Sequence, residues 1–566
     1  MPGLVLRMFP ALAWMRRYSR ADLRQDLPAG LTTAVMLIPQ AMAYAMLAGL
    51  PPTVGLYAST LPLIVYAFMG SSRQLAVGPV AMDSLLVATA LAPLATVGGP
   101  EYVAYAVTLA LMVGVIQAAL GLVRAGFLVN FLSQPVVGGF TSAAAIIIGL
   151  SQLKHLLGVD IPRSPQAHKV VLAALERVGE VDLYTLALGV AAIVALVWMK
   201  KRVPKWPRAL LVVAGSTLIV WAFGLDQGGV AIVADVPAGL PAPGLPRFDV
   251  ETLQTLLPAA LVISLIAFME AISVAQALAS RNRYAVDPNQ EFVALGMANI
   301  AAGFFRGYPV TGGFSRSAVN DQAGARTGAA GLVTAAVVII TLLFLTELFF
   351  YLPKAALAAV IMTAVFGLID LGKVRQLWAV DRADLTLLGL TFMSTLVLGI
   401  QTGIGIGVGA SVLWFVIRAT RPHTAILGRL PGTTAYRNVD RFSEVEKPPG
   451  TLVIRIDASF YFGNVSFLKQ TFAKHLADPK IVDVVIDGSS INRLDSSADA
   501  ALRELAVEFA ERGIGLYFAG LKGPVRDTMQ RSGLAELLGE RGRHLLVHDA
   551  VQAALQTRKA QGLQAS

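Results

Sequence analysis

The feature that most constrains the fold is a series of apolar runs that recur from Leu27 to Ile417. Each run is about twenty residues long, which is the length of helix that crosses a lipid bilayer. Hydrophobic residues make up 55% of the 566-residue chain and charged residues only 14%. The expected fold class is therefore an α-helical membrane protein with many spans.

Fourteen candidate spans can be placed in these runs. The third and the tenth are too short to cross a bilayer alone, and each follows an irregular stretch rich in glycine and proline. The predicted spans are 28–48, 53–70, 79–94, 102–123, 136–156, 183–200, 208–224, 255–279, 289–305, 314–324, 327–349, 354–372, 384–400 and 402–419.

Basic residues indicate the orientation of the spans. Segment 1–25 mixes arginines with Trp14 and Tyr18, which predicts an amphipathic helix on the cytoplasmic surface. An even number of spans puts both termini on one side, and most basic connections share that side, as the positive-inside rule requires of the cytoplasmic face. We expect a multi-pass protein of the cell (inner) membrane with cytoplasmic termini. The net charge of +10 resides largely in these connections and does not indicate nucleic acid.

Two interrupted stretches lie seven spans apart, at Gly70–Leu85 and Arg306–Val319. Each has an arginine, a short extended piece, a Gly-Pro or Gly-Gly break and a short helix of small residues. Paired interruptions of this kind point to a binding site between inverted repeats. Two half-helix N-termini would direct free N–H groups at one anion. The alternative is two re-entrant turns that serve packing only.

Four polar residues are candidates for the site, two in the second interrupted stretch and two in the first predicted span. Arg316 stands at the start of a helix, where a cation is unfavourable unless an anion offsets it; its alternative role is to hold its neighbours together. Ser315 is a hydroxyl donor or a helix cap. Gln40 requires a partner in its apolar span, either the substrate or another helix. Tyr44 lies on the same helix face and contacts the substrate or only packs.

Glu270 is the single acid in the eighth predicted span. It is a candidate for carrying a coupling proton, and the alternative is that it neutralises Arg316. Asp83, in the third span, is a second acid that could simply interact with a helix dipole. Four glycines, Gly403, Gly405, Gly407 and Gly409, are predicted to permit close helix packing.

The composition changes near Glu444, where charged residues become frequent. Strands are predicted at Thr451–Ile456, Ile481–Ile486, Ile514–Phe518 and His544–His548, and helices at Ser496–Arg512 and Val525–Ser532. Alternating strands and helices predict a small α/β domain.

Sequence motifs in both regions resemble the sulfate permease family, also called solute carrier family 26. The similarity runs from about Leu23 to the end of the chain. It is carried by PQAMAYA at 39–45, PPTVGLY at 51–57, GPVA at 78–81 and GGFSRS at 312–317. The C-terminal sequence LDSS at 494–497 is similar to a STAS domain, a relative of anti-sigma-factor antagonists.

The resemblance implies seven plus seven inverted spans, a core domain that moves against a gate domain like an elevator, and a homodimer. Some relatives have serine where Gly313 stands. Ser496 and Ser497 match the phosphorylated position of anti-sigma-factor antagonists, but helix capping is the role expected of them here. The substrate-binding residues implied are Gln40, Tyr44, Val80, Ala81, Gly313, Phe314, Ser315 and Arg316, with Glu270 for proton coupling.

The predicted organisation is an N-terminal segment at 1–25, a transport domain at 26–422, a linker at 423–447 and a cytoplasmic STAS domain at 448–566. The predicted function is secondary active transport of a small anion, such as sulfate, bicarbonate or a C4-dicarboxylate, by proton symport. An uncoupled exchanger or channel, and an anion sensor that signals through the STAS domain, remain alternatives. No nucleophile–base cluster or metal-ligand spacing is found, so no enzyme, metal site or cofactor is expected, only a coupling ion, H⁺ or Na⁺. The STAS domain is a candidate to bind a cytoplasmic protein.

Overall fold

The computed structural model describes residues 9–127, 133–162, 164, 166–203, 206–244 and 249–560. Two compact units make up the chain, Met1–Ser411 and Val412–Ser566. Helices dominate the first unit, and the second contains a five-stranded sheet with helices.

The helices of the first unit follow the apolar runs of the sequence. Each of the fourteen predicted spans lies on a helix. The second and fifth are each divided between two helices, and the twelfth extends past the helix Lys354–Val365 to the start of the next one at Leu371. In the described residues, seven helical segments are long and apolar enough to cross a membrane by length and composition, and four shorter apolar helices accompany them. The helices are α1 Ala11–Met15, α2 Arg20–Ala48, α3 Pro52–Tyr57, α4 Leu61–Met69, α5 Ala81–Leu91, α6 Pro100–Leu122, α7 Gln134–Ser151, α8 Leu153–Leu157, α9 Ala167–Glu176, α10 Leu183–Arg202, α11 Arg208–Phe223, α12 Val250–Arg281, α13 Pro288–Phe304, α14 Phe314–Gln322, α15 Ala329–Phe344, α16 Lys354–Val365, α17 Leu371–Val380, α18 Arg382–Leu398 and α19 Ile400–Thr420.

The N-terminal segment is not the single surface helix that was predicted. Helix α1 ends at Met15, and Ser19 caps a new helix: its Oγ accepts a hydrogen bond from Asp22 N, and the Asp22 carboxylate accepts one from Ser19 N at 3.0 Å. This reciprocal capping box stabilises a helix start at Arg20, so α2 runs without a break into the first predicted span. Residues 1–8 of the predicted segment lie outside the described residues.

The two interrupted stretches meet. Strand β1 (Val77–Gly78) pairs with β2 (Thr311–Gly312) in the antiparallel sense, and a short helix follows each strand. Helix α5 has 11 residues and α14 has 9. They are therefore about 17 and 14 Å long, roughly half of the hydrocarbon core of a bilayer. The prediction that these two helices cannot cross alone is confirmed.

Helix packing repeats at an offset of seven spans. Helix α2 packs on α5 as α12 packs on α14, α6 packs on α13 as α4 packs on α15, and α7 packs on α18 as α10 packs on α16. Together with the antiparallel β1–β2 pair, this is the arrangement of two inverted repeats.

The glycines of α19 divide into two pairs. A Cβ at Gly407 would lie 2.5 Å from Thr391 Oγ1 of α18, and one at Gly403 would collide with the backbone of that helix. Around Gly405 and Gly409 there is open space. The predicted role in close helix packing is thus confirmed for Gly403 and Gly407 and wrong for the other two.

The second unit is built on one mixed sheet with the strand order β4-β3-β5-β6-β7. Strands β5, β6 and β7 run parallel, and β3 is antiparallel to both of its neighbours. The predicted α/β class is confirmed. The elements are β3 Thr424–Arg429, β4 Tyr436–Asn438, β5 Thr451–Ile456, α20 Val465–His475, β6 Asp483–Asp487, α21 Ser496–Glu511, β7 Gly515–Ala519, α22 Gly523–Ser532, α23 Leu534–Leu538 and α24 Val547–Ala560.

Some elements of this unit differ from the prediction. Strands β3 and β4 lie inside 423–447, the segment predicted as a linker, and extend the sheet beyond β5. The predicted strand 544–548 is wrong: His544 makes one isolated bridge to Ala519. Helix α24 begins instead at Val547, because its apolar face packs against the sheet.

Candidate functional site

The two half-helices begin where glycine and proline break the chain. Val80 precedes α5 and Gly313 precedes α14, both in extended conformations, and neither side chain caps its helix. The first N–H groups of a helix have no acceptor within the helix and carry partial positive charge. Both helix starts therefore present N–H donors suited to an anion.

Arg316 lies in the first turn of α14 and is 1% exposed. Its Nη1 donates a hydrogen bond of 2.7 Å to Pro79 O, which ties this turn to the chain just before α5. Its Nε and Nη2 are buried and have no hydrogen-bond partner among the described residues. Unpaired buried donors on a cation are costly, and charge-assisted bonds to an anion would remove that cost.

Helix α2 brings Gln40 and Tyr44 to the site, and both are buried. Tyr44 interacts electrostatically with Arg316 and with Glu270. Gln40 lies one helical turn away on the same face, and its Oε1 is buried without a hydrogen-bond partner in the described part of the chain. Gln40 therefore has an acceptor available to a ligand, and the alternative of a bond to a neighbouring helix is not realised by that atom.

Glu270 lies on α12 and interacts electrostatically with Arg316. Its Oε2 is buried and has no hydrogen-bond partner within the described ranges. The guanidinium, the Tyr44 phenol and this carboxyl group interact electrostatically in one polar cluster. The arrangement is compatible with both roles considered for Glu270, that of a proton carrier and that of a counter-charge.

Gly313 leaves room for the guanidinium. A Cβ at this position would lie 2.8 Å from both Cζ and Nη2 of Arg316, which is closer than real Cβ contacts come. A side chain here would displace the arginine, so Gly313 acts by its small size.

The remaining predicted site residues divide by exposure. Val80 and Ala81, at the start of α5, are buried. Phe314 is 61% exposed and Ser315 is also exposed, so both lie on the side of α14 away from its buried residues. Because Gly313 occupies the cap position of α14, the alternative that Ser315 caps the helix is wrong.

Tyr308, which was not among the predicted site residues, is fully buried. Its hydroxyl group lies 2.9 Å from Ser84 Oγ of α5, and it interacts electrostatically with Arg316, Tyr44 and Asp83. A tyrosine inside the broken stretch RGYPVTGG was the signal available. Asp83 was noted but given no defined role.

A second missed residue, Glu291 of α13, fixes the chain ahead of β1. Its carboxylate is fully buried and accepts hydrogen bonds from Tyr66 Oη at 2.6 Å, from Ser71 N at 2.6 Å and Oγ at 2.8 Å, and from Ser72 N at 3.0 Å. Bonds to an ionised acceptor are stronger than neutral ones, so Glu291 holds the loop that leads into the first half-helix.

The two interrupted stretches also bind each other directly. Ser317 Oγ of α14 accepts a hydrogen bond of 2.9 Å from Ala76 N, and Asn320 Nδ2 donates one of 3.0 Å to Gln74 O. These bonds position α14 against the chain that precedes α5.

Ser496 and Ser497 belong to the separate C-terminal unit, and both are exposed at the start of α21. The cap of this helix is Asp495, whose carboxylate accepts from Ala498 N at 2.8 Å and from Phe462 N at 2.9 Å. The expectation that the serines cap the helix is wrong, because an ionised carboxylate already occupies that position.

Comparisons with known proteins agree with the two-unit organisation. The profile of the sulfate permease family matches residues 23–391, and that of the STAS domain matches residues 443–554. The chain is 41% identical over 569 residues to sulfate transporter 4.1, chloroplastic, of Arabidopsis thaliana, covering 97% of this chain and 83% of that protein. It is 36% identical to the probable sulfate transporter MT1781 of Mycobacterium tuberculosis, covering 96% and 97% of the two chains.

Solved structures give the same picture. The inward-facing structure of the murine solute carrier 26 family member A9 anion transporter has a TM-score of 0.92 at 26% identity and covers 98% of this chain and 95% of that one. The transmembrane domain of a cyanobacterium bicarbonate transporter, BicA, has a TM-score of 0.61 at 25% identity and covers 70% and 98%. The chain therefore belongs to the sulfate permease family, and it is a multi-span membrane transporter of anions with a C-terminal STAS domain rather than an enzyme.

Proposed function

We propose that this transporter takes up sulfate in symport with protons and binds the anion between the starts of α5 and α14. The observation that carries the proposal is Arg316, whose Nε and Nη2 are buried and unpaired among the described residues. Sulfate has acceptors for both donors and for the N–H groups of the helix starts. The choice of sulfate rests on the relatives named as sulfate transporters.

Glu270 is the proposed coupling group. Moving one elementary charge across a potential of 100 mV costs about 2.3 kcal/mol, so a dianion entering a negative interior is opposed by about twice that amount. Co-transported protons would offset this cost. The electrostatic contact of Glu270 with Arg316 supports the proposal, because protonation of the carboxyl group would free the guanidinium for the anion.

The proposed motion is of the elevator type. Of the four helices that carry the site, α2 packs on α5 and α14, and α12 also packs on α5 and α14, which supports their movement as one body. Alternating access then exposes the same residues to each side in turn.

Further parts of the proposal concern the cell. Both termini are assigned to the cytoplasm from the distribution of basic residues, the membrane is the cell membrane, and the transporter is a homodimer. The STAS domain would bind a cytoplasmic protein, and the exposure of Ser496 and Ser497 makes them accessible to a kinase.

Uptake into proteoliposomes tests substrate and coupling together. Labelled sulfate, bicarbonate and fumarate would be supplied with an inward proton gradient, an inward sodium gradient or no gradient. We expect sulfate uptake stimulated by protons, lost in Arg316→Gln and less stimulated by the proton gradient in Glu270→Gln. Glu251→Gln is the matched control, since Glu251 is an exposed acid in the first turn of the same helix.

Other outcomes would favour the alternatives. Sulfate exchange without any gradient effect would indicate an exchanger, and uncoupled current would indicate a channel. Sulfate binding without flux of any anion would favour a sensor, and stimulation by sodium alone would replace the proton as coupling ion.

A further inference from the structure

A second acid lies in the buried region of the site. Asp83 occupies the first turn of α5 and is 0% exposed. Neither of its carboxyl oxygens has a hydrogen-bond partner among the described residues. Glu291 shows the contrast, because its equally buried carboxylate accepts four hydrogen bonds. Asp83 is thus a buried acid whose carboxyl oxygens receive no hydrogen bond from the described part of the protein.

No cation among the described residues is identified as a direct partner of Asp83. Asp83 interacts electrostatically with Glu270 of α12 and with Tyr308, which precedes β2. Of the other helices packed against α5, α2 carries Tyr44, and α7 has no titratable residue in its range. Arg316 of α14 interacts electrostatically with Glu270, Tyr44 and Tyr308. Tyr102 of α6 donates instead to Ala48 O. Glu270 therefore interacts with both Arg316 and Asp83, and Arg316 is the one cation identified in this cluster of described residues.

The dipole of α5 does not explain an ionised Asp83. A helix N-terminus favours a carboxylate, but it offsets only part of the cost of a buried charge without hydrogen bonds. Direct bonding to its own first-turn N–H groups, as at a cap, is absent from the described contacts of Asp83. Protonation is the other way to remove the cost.

Charge balance connects this acid to transport. With both carboxyl groups ionised, the cluster of Asp83, Glu270 and Arg316 has one net negative charge and repels a dianion. Each bound proton makes the cluster more positive by one charge, so anion binding and proton binding favour each other.

We propose that Asp83 is a second proton-binding residue and that Asp83 and Glu270 together load about two protons with each sulfate. The inference rests on the proposed sulfate–proton symport and adds its stoichiometry. Two protons balance the charge of the dianion, so the loaded and the empty site carry the same charge and a full transport cycle moves no net charge.

The test measures labelled sulfate uptake and proton influx together in proteoliposomes of the full-length protein. Membrane potential is set with potassium and valinomycin. We expect about two protons per sulfate for the natural protein and about one for Asp83→Asn. Uptake by the natural protein is expected to be independent of the membrane potential, and uptake by Asp83→Asn is expected to be slower when the interior is negative. Glu251→Gln is expected to match the natural protein.

A second measurement covers the case in which Asp83→Asn does not fold. Proton uptake on sulfate binding would be counted with a pH indicator, in purified natural protein and in Glu270→Gln. About two protons per bound sulfate are expected for the natural protein and about one for Glu270→Gln.

The outcomes separate the inference from the proposed function. Proton-stimulated sulfate uptake with one proton per sulfate, unchanged in Asp83→Asn, would overturn the inference and leave the symport intact. Absence of proton uptake on sulfate binding to Glu270→Gln would overturn it as well. Failure of the natural protein to take up sulfate under any gradient would overturn the proposed function, and the inference with it.

Discussion

Replacement of Arg316 by lysine separates the shape of the guanidinium from its charge. Nη1 donates a hydrogen bond of 2.7 Å to Pro79 O. Nε and Nη2 have no partner among the described residues and are available to donate to an anion. A lysine retains one cationic nitrogen, which cannot hold the carbonyl and also replace two spaced donors. Loss of one charge-assisted hydrogen bond costs about 1.5–3 kcal/mol, which weakens sulfate binding about 10- to 150-fold.

A scintillation proximity assay with labelled sulfate on the purified full-length protein measures this change. Arg306→Lys is the matched control, since Arg306 lies in the same interrupted stretch but is exposed. We expect the control to bind like the natural protein. An affinity of Arg316→Lys within about threefold of the natural protein, or an equal loss in the control, would refute the assignment of the two free donors to sulfate.

Three further predictions concern the surroundings of the site and the STAS domain. Gly313→Ala places a Cβ 2.8 Å from the guanidinium carbon, so sulfate affinity should fall at least about tenfold while gel filtration shows a folded protein; normal affinity would contradict this. Glu291→Gln weakens the four hydrogen bonds of that carboxylate and should cost about 2–4 kcal/mol of stability, seen as a lower Tm than that of Glu251→Gln; equal Tm values would refute the anchoring role. The hydrogen bond from Arg455 lowers the pKa of Asp457 below its ordinary value of 3.8, so this group stabilises the fold above pH about 4 and loses that effect as pH falls through the lowered pKa; NMR should find that Arg455→Gln raises the carboxyl midpoint.

The broken helices could be predicted because their sequence departs from an ordinary span. Glycine and proline in Gly70–Leu85 and Arg306–Val319 end the apolar runs, and equal spacing in the two halves indicated an inverted repeat. A functional role could be predicted for Arg316 because a charged side chain inside the membrane is costly and is retained mainly where it serves a function. These predictions need only local sequence patterns and general energetic rules, and both can be applied to a single sequence.

Contacts between distant residues could not be predicted in the same way. Glu291 and Ser71 are 220 positions apart, and no local pattern connects the acid with the loop it holds. Tyr308 reads as a packing residue until the fold places it beside Ser84. Asp495, rather than Ser496, caps α21. Both residue types suit a cap, so the sequence alone does not decide between them, and the choice depends on the chain geometry at the turn.

In the proposed transport cycle the anion binds where the two half-helices begin, against Nε and Nη2 of Arg316, which are unpaired among the described residues. Selenate has the shape and charge of sulfate, so crystals grown with selenate and measured at the selenium edge test the claim directly. We expect an anomalous peak within hydrogen-bond distance of Arg316 Nε or Nη2, beside the starts of α5 and α14. An ordered peak elsewhere in the transport unit, with both nitrogens unliganded, would contradict it.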